Sequence, residues 1–203
     1  RYIVNNINGN TKNWQKYVQP SSTANAGGGG NVSSNTAVLI TDTTGNLLLG
    51  GARTVNGVAY GRTYVNFVAS INSGNGSQIW KTTVENSDLA FPRPDISGII
   101  TGMANDSNGN IYVAMKSFDG TNPANTVPGA YMMQLASNGA VNWQKRYANV
   151  TNFGKLTIDT SNDKVYFMSR NAVSSATNTN TGSIGEIDNT GNIVWINQYG
   201  ING

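Results

Sequence analysis

Short stretches of alternating apolar and polar residues recur along the chain, and turns rich in Asn and Gly separate them. The clearest example is residues 131–147, in which two such stretches flank Asn138-Gly139 and the second carries Trp143. Alternation of this kind is typical of a β-strand with one buried face, and Asn-Gly is a strong hairpin signal. The pattern therefore predicts two antiparallel strands around a tight turn.

The same strand pair occurs three more times. Residues 2–17 align with 131–146 without a gap, residues 64–80 match with one extra turn residue, and residues 183–199 match again. The second strand of each pair carries a tryptophan; the four are Trp14, Trp80, Trp143 and Trp195. Because helical periodicity is absent throughout, the chain is predicted to be all-β.

A second kind of strand pair precedes three of these copies. Two apolar runs surround an Asp-led turn in residues 37–51, 99–115 and 155–168. The leading residues are Asp42, Asp106 and Asp159. An Asp side chain accepts hydrogen bonds from turn amides, so we expect these three carboxylates to cap their turns.

One full unit is thus predicted to have four antiparallel strands. The spacing from each leading Asp to the next Trp is nearly constant, whereas the connecting segments vary, which is typical of a repeat array. The predicted organisation is the second half of a first unit at 1–18, a flexible Gly/Ser/Asn-rich loop at 19–36, and whole units at 37–84, 99–148 and 155–199.

The amino-acid composition excludes several classes of functional site. The 203 residues include no Cys and no His, which excludes disulfides, Cys nucleophiles, Ser-His-Asp triads and His-ligated metals. Charged residues make up only 11%, and the net charge of +3 is spread along the chain, so nucleic acid is not an expected partner. No apolar run is long enough to span a membrane as a helix. The chain opens on Arg1 inside a repeat, so we expect upstream residues to be missing.

Two sets of strings resemble known propeller repeats. Residues 106–113 and 135–145 look like the short β-propeller repeats of secreted bacterial and phage-encoded proteins. Residues 71–80 and 187–195 resemble the tryptophan-docking motif of quinoprotein-like propellers. The resemblance implies four-stranded blades, with the four tryptophans packed between neighbouring blades. A sugar-binding aromatic platform would need Trp in the variable loops, and none lies there.

Three and a half blades are fewer than such repeats usually need to close a ring, and exposed strand edges invite pairing. We therefore expect that missing residues, other copies of the chain or other subunits complete a larger assembly.

Asp106 is a candidate calcium ligand, because Asp106, Asn108 and Asn110 fit the first three ligand positions of a calcium loop. However, Gly109 comes one position early, and Ser117 stands where the bidentate Glu belongs. Turn capping is favoured, and no metal ion, catalytic residue or cofactor is predicted.

Glu85, Asp88 and Asp95 form the one local carboxylate cluster. A glycosidase needs two carboxylates at a set separation, but a solvated, proline-stiffened loop is the favoured interpretation. If the protein binds a ligand, the candidate residues are Phe91, Arg93 and Asp95, followed by Phe118, Asp119 and Arg170.

The leading hypothesis is a non-enzymatic structural or adhesion module, extracellular or on a virion, such as a phage tail or fibre component that mediates assembly or binds a host-surface glycan or protein. The alternative is a secreted or surface-anchored bacterial propeller that binds carbohydrate or protein. An enzyme is the third class. A quinoprotein would use pyrroloquinoline quinone with calcium and an acidic base, but the chain has too few blades and no obvious acidic funnel.

Overall fold

The structure is a computed structural model of the chain. It describes residues 2–8, 10–18, 34–58, 61–84, 97–118, 130–147, 150, 152–172 and 180–199. These residues form fourteen strands and no helix, and every strand pairing is antiparallel. The all-β prediction is therefore confirmed.

The strands fall into four units, one of two strands and three of four. The first unit contains β1 (Tyr2–Asn8) and β2 (Thr11–Val18). The second contains β3 (Ser34–Thr41), β4 (Leu47–Val58), β5 (Gly61–Ile71) and β6 (Gln78–Val84). The third contains β7 (Ser97–Asn105), β8 (Ile111–Phe118), β9 (Ala130–Leu135) and β10 (Val141–Tyr147). The fourth contains β11 (Asn152–Asp159), β12 (Lys164–Ala172), β13 (Asn180–Ile187) and β14 (Ile193–Tyr199).

Within each unit, every strand pairs with its neighbour in sequence. A single pair, Lys116 with Asn152, also joins β8 to β11, so the third and fourth units share one eight-stranded sheet. The β1–β2 pair corresponds to the third and fourth strands of a full unit, since its β2 carries Trp14.

Two sequence boundaries differ from the structure. Strand β3 begins at Ser34, inside the segment 19–36 that the sequence assigns to a loop. The rest of that segment, 19–33, lies outside the described residues. The gapless alignment of 2–17 with 131–146 is wrong by one residue in the first strand. Asn6 stands opposite Trp14, whereas Gln134 stands opposite Trp143, so the first unit has the shorter turn.

Each internal unit is apolar on both sheet faces. Because successive side chains in a strand point to opposite faces, Phe67 of β5 packs with Val4 of the first unit, and the adjacent Val68 packs with the third unit. Strand β9 does the same: Met133 packs toward the second unit and Met132 toward the fourth. The hydrophobic cores of this protein are therefore the interfaces between successive units.

Candidate functional site

Three of the four tryptophans connect one unit to the next. The indole nitrogens of Trp14, Trp80 and Trp143 donate to the carbonyl oxygens of Ser73, Ser137 and Asn189 at 3.0, 2.9 and 2.9 Å, respectively. In each case the acceptor lies in the turn between the third and fourth strands of the following unit. We call this contact the tryptophan dock.

A glycine lies under each docked indole. Gly76, Gly139 and Gly191 have positive φ angles of 71°, 85° and 81°. A Cβ atom on Gly139 would lie 2.6 Å from Cε3 of Trp80, well inside van der Waals contact. Each glycine therefore supplies a left-handed turn and also the space that the ring occupies.

The fourth tryptophan makes a different contact. The indole nitrogen of Trp195 donates to Oε2 of Glu186 in its own unit at 2.8 Å, and its ring lies against Tyr166. Glu186 also forms an ion pair with Lys164 at 3.5 Å. Trp195 is 36% exposed and marks the end of the series of docks.

Tyr147 adds a second hydrogen bond to the third dock. Its hydroxyl donates to the carbonyl oxygen of Gly191 at 2.6 Å, in the turn that also accepts Trp143. Burial of the ring raises the pKa of Tyr147 far above its usual value, so the hydroxyl keeps its proton and remains a donor.

The Asp-led turns are closed by the Asp side chains. Oδ1 of Asp42 accepts the amide hydrogens of Thr44 and Asn46 at 2.9 and 2.8 Å. Oδ1 of Asp106 accepts the amides of Asn108 and Asn110 at 3.0 and 2.8 Å. In the fourth unit, Oδ1 of Asp159 accepts the amide and hydroxyl of Ser161, and Oδ2 accepts Nδ2 of Asn162.

Asp163 connects two of these turns. Its Oδ1 accepts a hydrogen bond from the amide of Ser107 at 2.9 Å, and its Oδ2 accepts one from the Ser107 hydroxyl at 2.7 Å. Both hydrogen bonds join the fourth unit, which contains Asp163, to the third unit, which contains Ser107. These hydrogen bonds lower the pKa of the Asp163 carboxyl. Asp163 also has a positive φ of 55°, a conformation that Asp tolerates better than most residues.

Asp188 performs the capping role in the turn that receives Trp143. Its Oδ1 accepts the amides of Thr190 and Asn192 at 2.9 and 2.8 Å. The backbone hydrogen bond from Asn192 is the main reason that the pKa of Asp188 is lowered. The carboxylate thereby stabilises the turn that presents the Asn189 carbonyl to the indole.

The ligand-binding residues predicted from sequence are only partly within the described structure. Phe91, Arg93, Asp95 and Asp119 lie outside the described residues, as do Glu85 and Asp88. Phe118 is the last residue of β8 and pairs with Ser97. Arg170 in β12 pairs with Asn152, which pairs in turn with Lys116. The backbones of Arg170 and the end of β8 therefore lie at the same level of the shared sheet, on either side of Asn152.

Within the described ranges, no three acidic side chains come close enough together to hold a metal ion. None of the described residues belongs to a helix that is long and apolar enough to cross a membrane.

Sequence reasoning did not assign contacts between units to several residues. It took Gly139 only as part of a hairpin turn, and it gave no such role to the other glycines under the indoles, to Asp163, to Asp188 or to Tyr147. The glycines had a signal, since each stands in the Asn/Ser-rich turn of the unit after a tryptophan. Asp163 had none, because its partner Ser107 is far away in sequence.

No model of a known protein family matches this chain, and no curated protein is significantly similar to it in sequence.

Proposed function

We propose that the chain contributes consecutive blades of a β-propeller and acts as a non-enzymatic structural or adhesion module of a virus particle, such as a phage tail or fibre. The observation that carries the proposal is the tryptophan dock, which recurs at all three internal interfaces with the same donor atom and the same class of acceptor. A contact repeated at every step positions each unit in the same way relative to its neighbour.

The packing of the units supports blades rather than a sandwich. Two packed sheets of a sandwich bury one face each and leave the other to water. Here the second and third units bury side chains from both faces of the same strand, as Phe67 and Val68 do. Short antiparallel sheets that pack face to face in series are the arrangement of propeller blades.

The chemistry of the described acids supports a structural role. The carboxylates of Asp42, Asp106, Asp159 and Asp188 each accept hydrogen bonds from their own turns. Lowered pKa values at Asp159 and Asp188 keep these groups ionised, whereas a general acid needs a raised pKa. Low charge and the absence of Cys in the sequence fit an exposed particle component.

The location is tested with an antibody raised against the purified chain. We expect the antibody to detect the protein in gradient-purified virus particles from the source culture and to decorate one structure of those particles by immunogold electron microscopy. Detection only in the culture medium or the cell envelope would contradict the proposal and would favour a secreted or surface-anchored bacterial propeller.

Adhesion is tested with the fluorescently labelled chain and intact cells of the candidate host. Saturable binding that unlabelled chain displaces supports an adhesion role. A particle component that fails to bind cells would have a purely structural role. Turnover of glycoside substrates or quinone-dependent redox activity would contradict a non-enzymatic function.

A further inference from the structure

The fourth unit exposes the sheet face that the earlier units bury against their successors. In each unit, one residue of the third strand pairs with the tryptophan of the fourth strand. The residue two positions earlier in that third strand is Val4, Val68, Met132 or, in the fourth unit, Ile184. The first three are buried, whereas Ile184 is 39% exposed. We call the surface formed by Ile184, Met168, Trp195 and Tyr199 the open face.

The aromatic residues of the open face match those that form docks elsewhere. Tyr199 stands opposite Gly182, as Tyr147 stands opposite Ala130. Tyr147 donates to the turn of the next unit, but Tyr199 is 59% exposed. Trp195 and Tyr199 therefore stand at the positions of the two dock donors, but no described turn of a following unit faces them, and the indole nitrogen of Trp195 donates to Glu186 instead.

The first unit exposes the complementary face. Ile7 of β1 is equivalent to Ile71, Leu135 and Ile187, all of which are buried against the preceding unit. Ile7 itself is 62% exposed, and Ile3 on the same face is also exposed. The first and last described units thus carry the two halves of the internal interface, and both halves are exposed.

Met168 indicates which kind of unit fits the open face. Its counterparts on the second strands are Gly50, opposite Val68, and Ala114, opposite Met132. A Cβ atom on Gly50 would lie 2.7 Å from Sδ of Met103 in β7, the first strand of the next unit. The long side chain of Met168 fills the space that side chains of the following first strand occupy over Gly50, so a complete four-stranded unit fits this face less closely than it fits the earlier ones.

Among the described residues, the first unit has no counterpart of such a strand. In the described residues it consists of β1 and β2, which correspond to the third and fourth strands of a full unit. A two-stranded unit can cover Ile184, Trp195 and Tyr199 while leaving room for Met168. Within this chain, the first unit is the element of that shape.

We propose that the open face of the fourth unit binds the first unit of a second copy of the chain, head to tail. The inference rests on the proposed role in a larger assembly and names the partner for it. A head-to-tail contact forms a ring if its rotation closes, and a filament if it does not.

The test is a complementation experiment with two interface variants of the full chain. Ile184→Lys places a charge on the open face, and Ile7→Lys places one on the first unit. Burial of an unpaired ammonium is costly, so each variant alone should self-associate at least about tenfold more weakly than the wild type. Ile79→Lys is the matched control, because Ile79 is also an exposed strand isoleucine but lies on neither terminal face.

Sedimentation velocity gives the result. The wild type and Ile79→Lys should form multimers. Each interface variant should be monomeric, and an equimolar mixture of Ile7→Lys and Ile184→Lys should form a dimer and nothing larger. That dimer arises because the mixture retains one intact copy of each face.

Three results would overturn the proposal. A monomeric wild type would mean that the two faces meet within one chain or not at all. Multimers that persist in Ile7→Lys but vanish in Ile184→Lys would mean that two open faces pair with each other. Failure of the mixture to form dimers would exclude the head-to-tail contact, provided that circular dichroism shows both variants folded. Tyr199→Lys, at a 59% exposed position that the first unit would cover, replaces Ile184→Lys if that variant does not fold.

The outcome is independent of the particle and cell assays. A chain that self-associates as expected but is absent from virus particles would retain this inference and lose the proposed function. A chain that is monomeric but present in virus particles would retain the proposed function and lose this inference.

Discussion

The glycine under each docked indole provides the sharpest test of how the units are held together. Gly139→Ala adds one methyl group at a position with φ of 85°, directly against Trp80. Gly45 offers a matched control, since its φ is 83° and an added Cβ would meet nothing within 4 Å. Both glycines donate their amide within a turn, Gly139 to Ala136 and Gly45 to Asp42.

The two substitutions share one cost and differ in another. Forcing an alanine into the left-handed conformation costs about 1 to 2 kcal/mol at either site. At Gly139 the new Cβ would also lie 2.6 Å from Cε3 and 2.8 Å from Cδ2 of Trp80, and 2.9 Å from Oγ1 of Thr82. Overpacking of this kind costs about 1 to 3 kcal/mol more, because the indole must move off its site.

The measurement is urea unfolding of both variants and the wild type, followed by circular dichroism and tryptophan fluorescence at one fixed protein concentration. We expect Gly45→Ala to lower the free energy of unfolding by about 1 to 2 kcal/mol. Gly139→Ala should lower it by about 1 to 3 kcal/mol beyond that value and should shift the tryptophan emission of the native state to the red, because a displaced Trp80 becomes wetter.

Equal destabilisation of the two variants, within about 0.5 kcal/mol, would refute the reasoning. It would mean that the indole can move aside at no cost and that the close approach does not hold the units in position. A red shift in Gly45→Ala as large as in Gly139→Ala would also contradict the assignment of the change to Trp80.

Three further predictions concern the docks, the turns and the surface. Trp80→Phe should destabilise the chain by about 2 to 4 kcal/mol, since it leaves a cavity and removes an interface hydrogen bond. Trp195→Phe should cost only about 1 to 2 kcal/mol in the monomer, because it loses the hydrogen bond to Glu186 but leaves no cavity at an interface between units. The lowered pKa of Asp163 means that its contribution to stability is complete above the usual value of 3.8 and is lost as the pH falls through the lower folded-state pKa. Asp163→Asn should therefore flatten the decline of the urea midpoint between about pH 5 and about pH 3. A double variant with Phe91→Ala and Arg93→Ala should fold normally and lose binding to host cells.

Each of these has a contrary outcome. If Trp80→Phe and Trp195→Phe lowered the free energy of unfolding of the monomer equally, the contact of Trp80 with the next unit would add nothing to stability. A pH profile for Asp163→Asn that is parallel to that of the wild type would exclude the bridge to Ser107 as a source of acid sensitivity. Normal cell binding by the Phe91/Arg93 double variant would exclude these two residues as part of the binding site.

The sequence pattern was sufficient to indicate the strands, because the residues that favour a strand or a turn lie within that strand or turn. Alternation has a period of two residues, and the turn at Asp42 carries its own capping side chain and its own glycine within a few residues. The all-β class and the repeated strand pairs followed from this pattern. The error in the first unit has a local cause as well: a turn shortened by one residue leaves both strand patterns intact and shifts only their register.

The interfaces depend on contacts between residues far apart in sequence. A sequence can indicate that Trp80 belongs to a strand, but not that its indole reaches Ser137 or that Gly139 is glycine because of that ring. The same holds for Asp163 and Ser107. The exposure of Ile184, at a position that is buried in every earlier unit, is decided by whether another unit follows in space. The sequence alone thus determined the strands and turns of each unit, and the tertiary structure decided which faces meet and which remain open, because docking energy arises between units rather than within them.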